Sequence, residues 1–271
     1  MPMKYPNQYR LMSPGFTLIE MAIVLFIVAL LMGGLLPTLT SQIEQRRNSD
    51  TSKQLNEIKD ALIGYAVING RLPCPASPTS NGAESPVGGG NCTNFYNGFV
   101  PAATLGLSGT TDSSGFLIDS WGNRIHYAVT LWTWNSPTPP TPPNVPYVFT
   151  TTNGMSTVGM SNFPTTGTPH LQVCSTAISA TGSSCASSLV TLTSSPGVPV
   201  VIYSTGKNGA YGGTGPDEAE NPNPKSADND RVFVSHLPTG SGAPNGYFDD
   251  IVIWISPNVL INRMVAAGKL P

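Results

Sequence analysis

The sequence predicts an α+β protein in which one long N-terminal helix packs on an antiparallel β-sheet domain. Two observations lead to this prediction. Phe16 to Leu36 is an almost unbroken apolar run, and an amphipathic helical pattern continues from it to about Asn69. The last third of the chain then holds three segments rich in β-branched and aromatic residues, a composition typical of strands.

The apolar run, residues 16–36, is long enough to cross a membrane. As a helix it would extend roughly 31 Å, about the thickness of the hydrocarbon core of a bilayer. Residues 1–15 form a short polar leader whose charges are Lys4 and Arg10, so we expect the leader in the cytoplasm and the rest exported. Glu20 is unusual here, because a carboxylate within an apolar span costs about 2.5–3.5 kcal/mol on insertion scales.

Three interpretations of this segment compete. A cleaved signal peptide has an apolar core of only about 7–15 residues that ends in a small-residue cleavage site, and neither feature is present. A plain membrane anchor accounts for the length and the basic flank but not for Glu20. The third interpretation is a resemblance: Gly15 followed by Phe-Thr-Leu-Ile-Glu resembles the processing motif of type IV pilins and type II secretion pseudopilins.

The resemblance implies a role for three residues. A prepilin peptidase would cleave after Gly15 and methylate the new N-terminal residue, Phe16. Glu20, at the fifth mature position, would pair with the N-terminal amine of a neighbouring subunit during assembly. The physical argument agrees, because a buried carboxylate is tolerated when an opposite charge meets it. The implied partners are the peptidase, other pilin or pseudopilin subunits and the lipid of the inner membrane.

The helix is predicted over residues 16–70, with its second half against the exported domain. Gly70 and the prolines that follow it are expected to end the helix. Residues 71–271 are expected to form one globular β-rich domain, with a Pro/Thr-rich insertion near 135–196. Apolar residues at three- and four-residue steps form the stripe that would face this domain: Leu55, Ile58, Leu62, Tyr65 and Ala66.

The last third of the domain has the clearest pattern. Strands are predicted at Val198–Ser204, Arg231–Ser235 and Phe248–Ile255, and the last is expected to be central because it is apolar on both faces. A helix should follow, with Ser256 as its cap and Pro257 at its first position. Its predicted buried stripe is Leu260, Met264 and Ala267, and its predicted end is Gly268.

Four cysteines lie beyond the apolar run, at positions 74, 92, 174 and 185. An even number on the exported side indicates disulfides. Three pairings are possible and the sequence does not choose among them, but we favour the two local ones, Cys74–Cys92 and Cys174–Cys185. Each would stabilise the fold by about 3 kcal/mol in the chain-entropy model. A zinc site has less support, because neither a CxxC pair nor a histidine cluster accompanies the cysteines.

Two further segments extend the resemblance. Asp119-Ser120-Trp121-Gly122-Asn123 is similar to an Asp-Pro-Trp-Gly-Asn turn of pseudopilins, and differs from it by having Ser120 in place of the proline. The glycine-rich segment 204–230 is similar in placement to a calcium-holding loop of major pseudopilins, which implies oxygen ligands at Asp217, Asp228, Asp230 and Asp249 or Asp250. A solvated acidic loop is the alternative to a calcium site.

The composition excludes some function classes. Net charge is −2, so we expect no nucleic-acid partner. Three histidines stand among many serines and aspartates, but no GxSxG nucleophile elbow is present, so we expect no enzyme. The resulting hypothesis is a minor structural subunit of a type IV pilus or a type II secretion pseudopilus. The alternative is a membrane-anchored periplasmic binding or adhesion module that does not polymerise.

Overall fold

The protein is described here by a computed structural model of residues 15–135, 144–162, 170–209, 215–222 and 230–270, with the side chains of 32–39 outside the description. It divides into two compact units, Met1–Arg46 and Arg47–Pro271. Helix α1, Leu18–Asn69, begins in the first unit and ends in the second. The α+β class is confirmed, since helices accompany an antiparallel sheet.

The second part of α1 packs on the globular unit through the predicted stripe. Leu55, Ile58, Leu62 and Ala66 are buried in its main hydrophobic core, whereas Tyr65 is half-buried. The helix ends at Gly70, which adopts a positive φ of 68° and donates its N–H to the Ala66 carbonyl at 2.9 Å. A left-handed residue of this kind is a common helix terminator, and glycine adopts it without steric cost.

The main sheet is built from β1 Gly98–Phe99, β2 His126–Val129, β4 Val200–Ser204 and β6 Ile251–Ile255. Among the described residues, these strands form an antiparallel sheet in the order β1–β2–β4–β6. Tyr127 of β2 pairs with Ile202 of β4, and Ile202 pairs on its other side with Ile253 of β6.

The prediction that the last strand is central is wrong. Strand β6 lies at an edge of the sheet, and β2 and β4 occupy the centre. The apolar composition of β6 has another cause: Val252 and Ile255 are buried, and the partly buried side chains between them, Ile253 and Trp254, also pack on the core. An edge strand covered on both faces has the same apolar pattern as a central one.

A small second sheet was not predicted. Strand β3, Gln172–Cys174, pairs in parallel with β5, Val232–Val234. Parallel pairing joins segments distant in sequence, so no local turn signal announces it. Both predicted local disulfides are present: Cys74–Cys92 closes the loop after α1, and Cys174–Cys185 ties β3 to the chain that follows it.

The remaining helices are short. They are α2 Ala102–Leu105, α3 Gly154–Val158, a 3-10 turn at Met160–Asn162, α4 Pro216–Glu220 and α5 Pro257–Ala266. The predicted start of α5 is confirmed, because Ser256 Oγ accepts a hydrogen bond from the Val259 N–H. Leu260 and Met264 are buried as predicted, but Ala267 lies beyond the last helical residue and is exposed.

The turn that contains Asp119 anchors several elements. Asp119 Oδ1 accepts the N–H groups of Trp121 and Asn123, each at 2.9 Å, and Oδ2 accepts the Ser204 hydroxyl at the end of β4. Ser120 departs from the proline of the similar pseudopilin turn, and its N–H donates to the Thr51 hydroxyl of α1 at 3.3 Å. Proline has no N–H, so this contact between the turn and α1 requires a residue other than proline at position 120.

Candidate functional site

The predicted calcium ligand Asp217 has other partners. It lies in α4, where Oδ1 accepts hydrogen bonds from the Thr176 hydroxyl at 2.9 Å and the Ala177 N–H at 2.6 Å. Its Oδ2 accepts from the Asn245 amide at 2.8 Å. The side chain therefore fastens α4 to the loop after β3. In the part of the chain that the structure describes, Asp217 belongs to no group of metal-ligating side chains.

Among the described residues, Asp230 also shares no group of metal-ligating side chains with Asp217 or Asp249. Asp230 begins the approach to β5, and its Oδ1 accepts the N–H of Val232 at 3.1 Å. Asp228 lies outside the described residues. Asp249 is different, because it lies in an acidic group with Glu218 of α4 and with Asp250. The Asn221 amide donates a hydrogen bond to Asp250 Oδ2. The described acidic group therefore contains both alternatives predicted for the fourth ligand, Asp249 and Asp250, together with Glu218, which was not predicted.

This acidic cluster, Glu218, Asp249 and Asp250, is compact. One carboxylate oxygen of each residue lies within 4.8 Å of one from each of the others. Glu218 is 2% exposed and Asp250 is 5% exposed. Sequence reasoning missed Glu218 because it precedes the other two by some thirty positions, and only the fold brings α4 beside the start of β6.

In both aspartates of the cluster, one carboxylate oxygen accepts hydrogen bonds from neighbouring residues. Asp249 Oδ2 accepts the N–H of Lys207 and the Tyr247 hydroxyl, each at 2.9 Å. Asp250 Oδ2 accepts the Asn221 amide at 2.7 Å. The second oxygen of each aspartate and both oxygens of Glu218 are buried, and the Glu218 carboxyl lies against the Asn208 side chain and Asp249.

The electrostatics of the cluster favour the neutral forms of Glu218 and Asp250. Burial raises the pKa of the Glu218 carboxyl and the Asp249 carboxylate adds to the shift, while the Asn208 side chain offsets part of it. Burial and the charges of Glu218 and Asp249 likewise raise the pKa of Asp250 well above its usual range, against the Asn221 hydrogen bond. Like charges close together in a site of low polarity produce shifts in this direction.

The histidine nearest to an aspartate does not complete a catalytic triad. His236 Nε2 lies 3.3 Å from Asp217 Oδ2, and its Nδ1 lies 2.7 Å from the Leu237 carbonyl. Although Ser175 lines the same small cavity, both ring nitrogens already face acceptors. A general base needs one nitrogen directed at the nucleophile, and this ring has none to offer.

The other two histidines are packing residues. The His126 ring lies between Phe99 and Tyr203, with centroid distances of 4.9 and 4.6 Å. The His170 ring contacts Trp132 and Phe149 edge-on. Burial, with a smaller effect of a nearby arginine in each case, lowers the pKa of both rings to about 4, so both are neutral at pH 7.

The N-terminal junction has a defined local geometry. Gly15, Phe16 and Thr17 precede α1, and no other described residue lies within 4 Å of where a Cβ at Gly15 would be. Thr17 Oγ1 accepts the N–H of Glu20 at 3.2 Å, and Glu20 Oε2 accepts both the N–H and the hydroxyl of Thr17 at 2.8 Å. This reciprocal pair is a capping box, which satisfies free N–H groups at a helix start.

Comparison with protein families bears on this junction. Residues 12–36 match the family described as the prokaryotic N-terminal methylation motif. The chain carries that methylation motif. It is the signature of type IV pilins and pseudopilins, a structural family. Among curated proteins and among solved structures, no match to this chain was found.

The methylation motif contains the capping box as well as the Gly15–Phe16 junction. Thr17 and Glu20 are the first and last residues of a Thr-x-x-Glu pattern, a signal that could have been taken from the sequence alone. Glu20 thus has a local role in starting α1 in addition to the assembly role that the resemblance implies. Any test of Glu20 has to separate its charge from its capping function.

The apolar side chains of the motif are exposed along the first unit. Phe16 is 84% exposed and Leu18 is 89% exposed. The large apolar residues that follow, as far as Leu31, are also exposed. Among the described residues, no helix combines the length and the hydropathy required of a membrane span.

Proposed function

We propose that the protein is a structural subunit of a type IV pilus or a type II secretion pseudopilus. In this proposal a prepilin peptidase removes residues 1–15 and methylates Phe16, and the N-terminal helix then packs against those of other subunits. The methylation motif carries the proposal, because it places a cleavable glycine, an apolar N-terminus and Glu20 in the arrangement that pilins share.

The exposed apolar residues of the first unit support the proposal that the N-terminal helix packs against lipid and then against other subunits. Isolated soluble proteins rarely expose a continuous apolar surface of this kind, and such a surface usually contacts lipid or another protein. Residues 16–36 would lie in the inner membrane before assembly, with the leader in the cytoplasm and residues 71–271 in the periplasm. After assembly, neighbouring subunits would cover the same surface.

The globular unit supports an exported location and a specialised position. Two disulfides join cysteines that are 18 and 11 positions apart in the sequence. Such bonds persist in oxidising compartments. The 135–196 insertion, together with a second sheet, makes the unit larger than a simple repeating subunit needs. We therefore place the protein among minor subunits rather than the main repeating one.

The first test is processing at Gly15. We expect Gly15→Val to block cleavage and leave a protein that still starts at Met1. Because no other described residue lies within 4 Å of a Cβ at Gly15, we expect a larger side chain there to leave the described fold unchanged and the effect to arise at the peptidase. The measurement is intact-mass analysis of protein expressed with an active prepilin peptidase.

Gly64→Ala is the matched control for a glycine substitution. Gly64 lies within α1, and a Cβ there meets nothing within 4 Å, so this variant should be processed like the wild type. Wild-type protein that keeps residues 1–15 beside an active peptidase would contradict the proposal. Wild-type protein that is cleaved but never enters a filament would favour the anchored module that does not polymerise.

A further inference from the structure

The chain segments before and within β6 border a cleft. Thr239 and Phe248 exchange both of their backbone hydrogen bonds, at 2.9 and 3.1 Å. Beyond this pair the two chains separate, and among the described residues no backbone hydrogen bond joins 235–238 to 250–254. The cleft has a volume of about 300 Å³. It is lined by Ser235, His236 and Pro238 from the first chain, Asp250, Ile251 and Val252 from the second, and Asn48 and Ser52 from α1.

The register of the main sheet determines which backbone groups of β6 point away from β4. Thr130 donates its N–H to the Pro199 carbonyl at 2.9 Å, so the odd-numbered residues of the strand that includes β4 bond toward β2. Alternate residues of an antiparallel strand bond to opposite sides, so the even-numbered residues of β4 bond to the odd-numbered residues of β6. The N–H and C=O groups of Val252 and Trp254 therefore point to the outer edge. In the part of the chain that the structure describes, nothing forms a hydrogen bond with them.

The outer edges of the other described strands have partners. Phe99 of β1 exchanges both backbone hydrogen bonds with Ala76, and the chain at 190–192 borders β3. The Asn221 side chain exchanges hydrogen bonds with the backbone of Val234 in β5. The edge of β6 differs from these, and its sequence, Ile-Val-Ile-Trp-Ile, contains neither the charges nor the proline that usually protect an edge from a further strand. This edge is therefore suited to accept one.

Asp250 gives the cleft an acidic end. This residue is 5% exposed and lines the cleft. Its Oδ2 accepts the Asn221 amide, whereas its Oδ1 is buried without a hydrogen-bond partner. Carboxylate oxygens of Glu218 and Asp249 lie within 4.8 Å of one of its own. A cationic donor is complementary to such a group, and an anion is not.

We propose that the cleft and the β6 edge bind an extended segment of another exported polypeptide, which adds a fifth strand to the main sheet. The segment would exchange backbone hydrogen bonds with Val252 and Trp254, and would place a lysine or arginine against Asp250. In strand addition the main chain provides affinity and the side chains provide specificity. A second copy's β6 is a poorer occupant, because the residues that flank it, Asp249 and Ser256, bring no cation. The inference uses the exported location proposed above but does not require that the protein polymerises.

The test uses the full-length chain in detergent and a synthetic peptide, fluorescein-Thr-Val-Thr-Val-Thr-Val-Lys-amide. An antiparallel strand would bring the C-terminal lysine of this peptide to Asp250, at the start of β6. Fluorescence anisotropy measures binding, and we expect it to be saturable. Replacement of the lysine by glutamate should weaken binding at least about tenfold, because it puts a like charge beside the carboxyl group.

Two matched variants test the charged end of the cleft. Asp250→Asn keeps the size of the side chain and an oxygen for the Asn221 amide, but removes the charge. It should bind the lysine peptide at least about tenfold more weakly than the wild type, and should discriminate less between the lysine and glutamate peptides. Asp60→Asn, exposed on α1 and outside the lining of the cleft, should bind like the wild type. Near-ultraviolet circular dichroism checks that both variants are folded.

Two measurements on the wild type test the strand pairing itself. N-methyl groups on one alternate set of peptide amides should abolish binding, and the same groups on the other set should weaken it far less, because only one set faces β6. Bound peptide should slow amide hydrogen exchange at Val252 and Trp254 and leave Ile253, which already bonds to β4, unchanged. Absence of saturable binding, equal binding of the two methylated peptides, unchanged exchange at Val252 and Trp254, or dimerisation through β6 without peptide would each overturn the proposal. None of these results depends on processing at Gly15.

Discussion

Replacement of Glu84 by glutamine is expected to lower the free energy of unfolding by about 3–5 kcal/mol, a large part of the stability of a typical domain. Glu84 is 4% exposed and forms a bidentate ion pair with Arg71, which is 6% exposed, with both N–O distances at 2.7 Å. The glutamine variant leaves the guanidinium buried without a counter-charge, and this uncompensated charge is the source of the loss.

The Glu84 carboxylate also organises the loop that follows α1. Its oxygens accept the N–H groups of Cys74 at 3.1 Å and Gly88 at 3.0 Å, besides the two bonds from Arg71. Burial alone would raise the pKa of Glu84, but the Arg71 and backbone hydrogen bonds outweigh it and hold the pKa below its usual value. The pair thus fixes the loop that the Cys74–Cys92 disulfide closes.

Chemical denaturation of the full chain in detergent, with both disulfides intact, measures the loss. Glu57→Gln, on the exposed side of α1, is the control and should change the free energy of unfolding by less than about 0.5 kcal/mol. Arg71→Met combined with Glu84→Gln should lose less than the sum of the single variants, because the unpaired charge is gone. A loss below about 1 kcal/mol in Glu84→Gln would show that the pair behaves like an exposed one.

Local signals in the sequence predicted the parts of the fold that depend on neighbouring residues. The α1 stripe follows from helical periodicity, and the start of α5 follows from Ser256 and Pro257. The disulfides join cysteines only 18 and 11 residues apart, so the favoured local pairing needed no knowledge of the fold. In each case the physical cause lies within one element or one loop.

Contacts between distant segments were not predictable in this way. Arg71 and Glu84 meet across a loop rich in Pro, Gly and Ser, where no periodicity indicates which side chains face each other. The parallel pairing of β3 with β5 and the edge position of β6 depend on topology. Glu218 joins Asp249 and Asp250 for the same reason, so the sequence pointed to Asp249 or Asp250 but not to Glu218.

Loss of assembly is the expected result of Glu20→Gln. If Glu20 pairs with the amine of a neighbour's Phe16, each variant subunit in a filament would bury an unpaired ammonium at a cost of several kcal/mol. The variant's share of the assembled fraction should therefore fall by at least about tenfold relative to the wild type. Insertion and the fold of the globular unit should be unchanged.

The capping box makes this substitution more informative than a change to alanine. Glutamine is also found at this position of capping boxes, so Glu20→Gln removes the charge but retains the bond to the Thr17 N–H. Thr17→Val is the complementary variant, because it removes the hydroxyl that caps Glu20 and leaves the carboxylate in place. The loss of a cap costs about 0.5–2 kcal/mol of helix stability.

The two variants together assign the role of Glu20. Each is expressed beside the wild type in a host with the assembly machinery, processing is checked by intact mass, and filaments are sheared from the cells or cross-linked in the periplasm. A charge-pairing role predicts that Glu20→Gln is lost from filaments while processed Thr17→Val is retained. A purely local capping role predicts the opposite order, since glutamine still caps and valine does not. Recovery of Glu20→Gln in filaments at the wild-type level would therefore reject the pairing and leave the carboxylate as a helix cap.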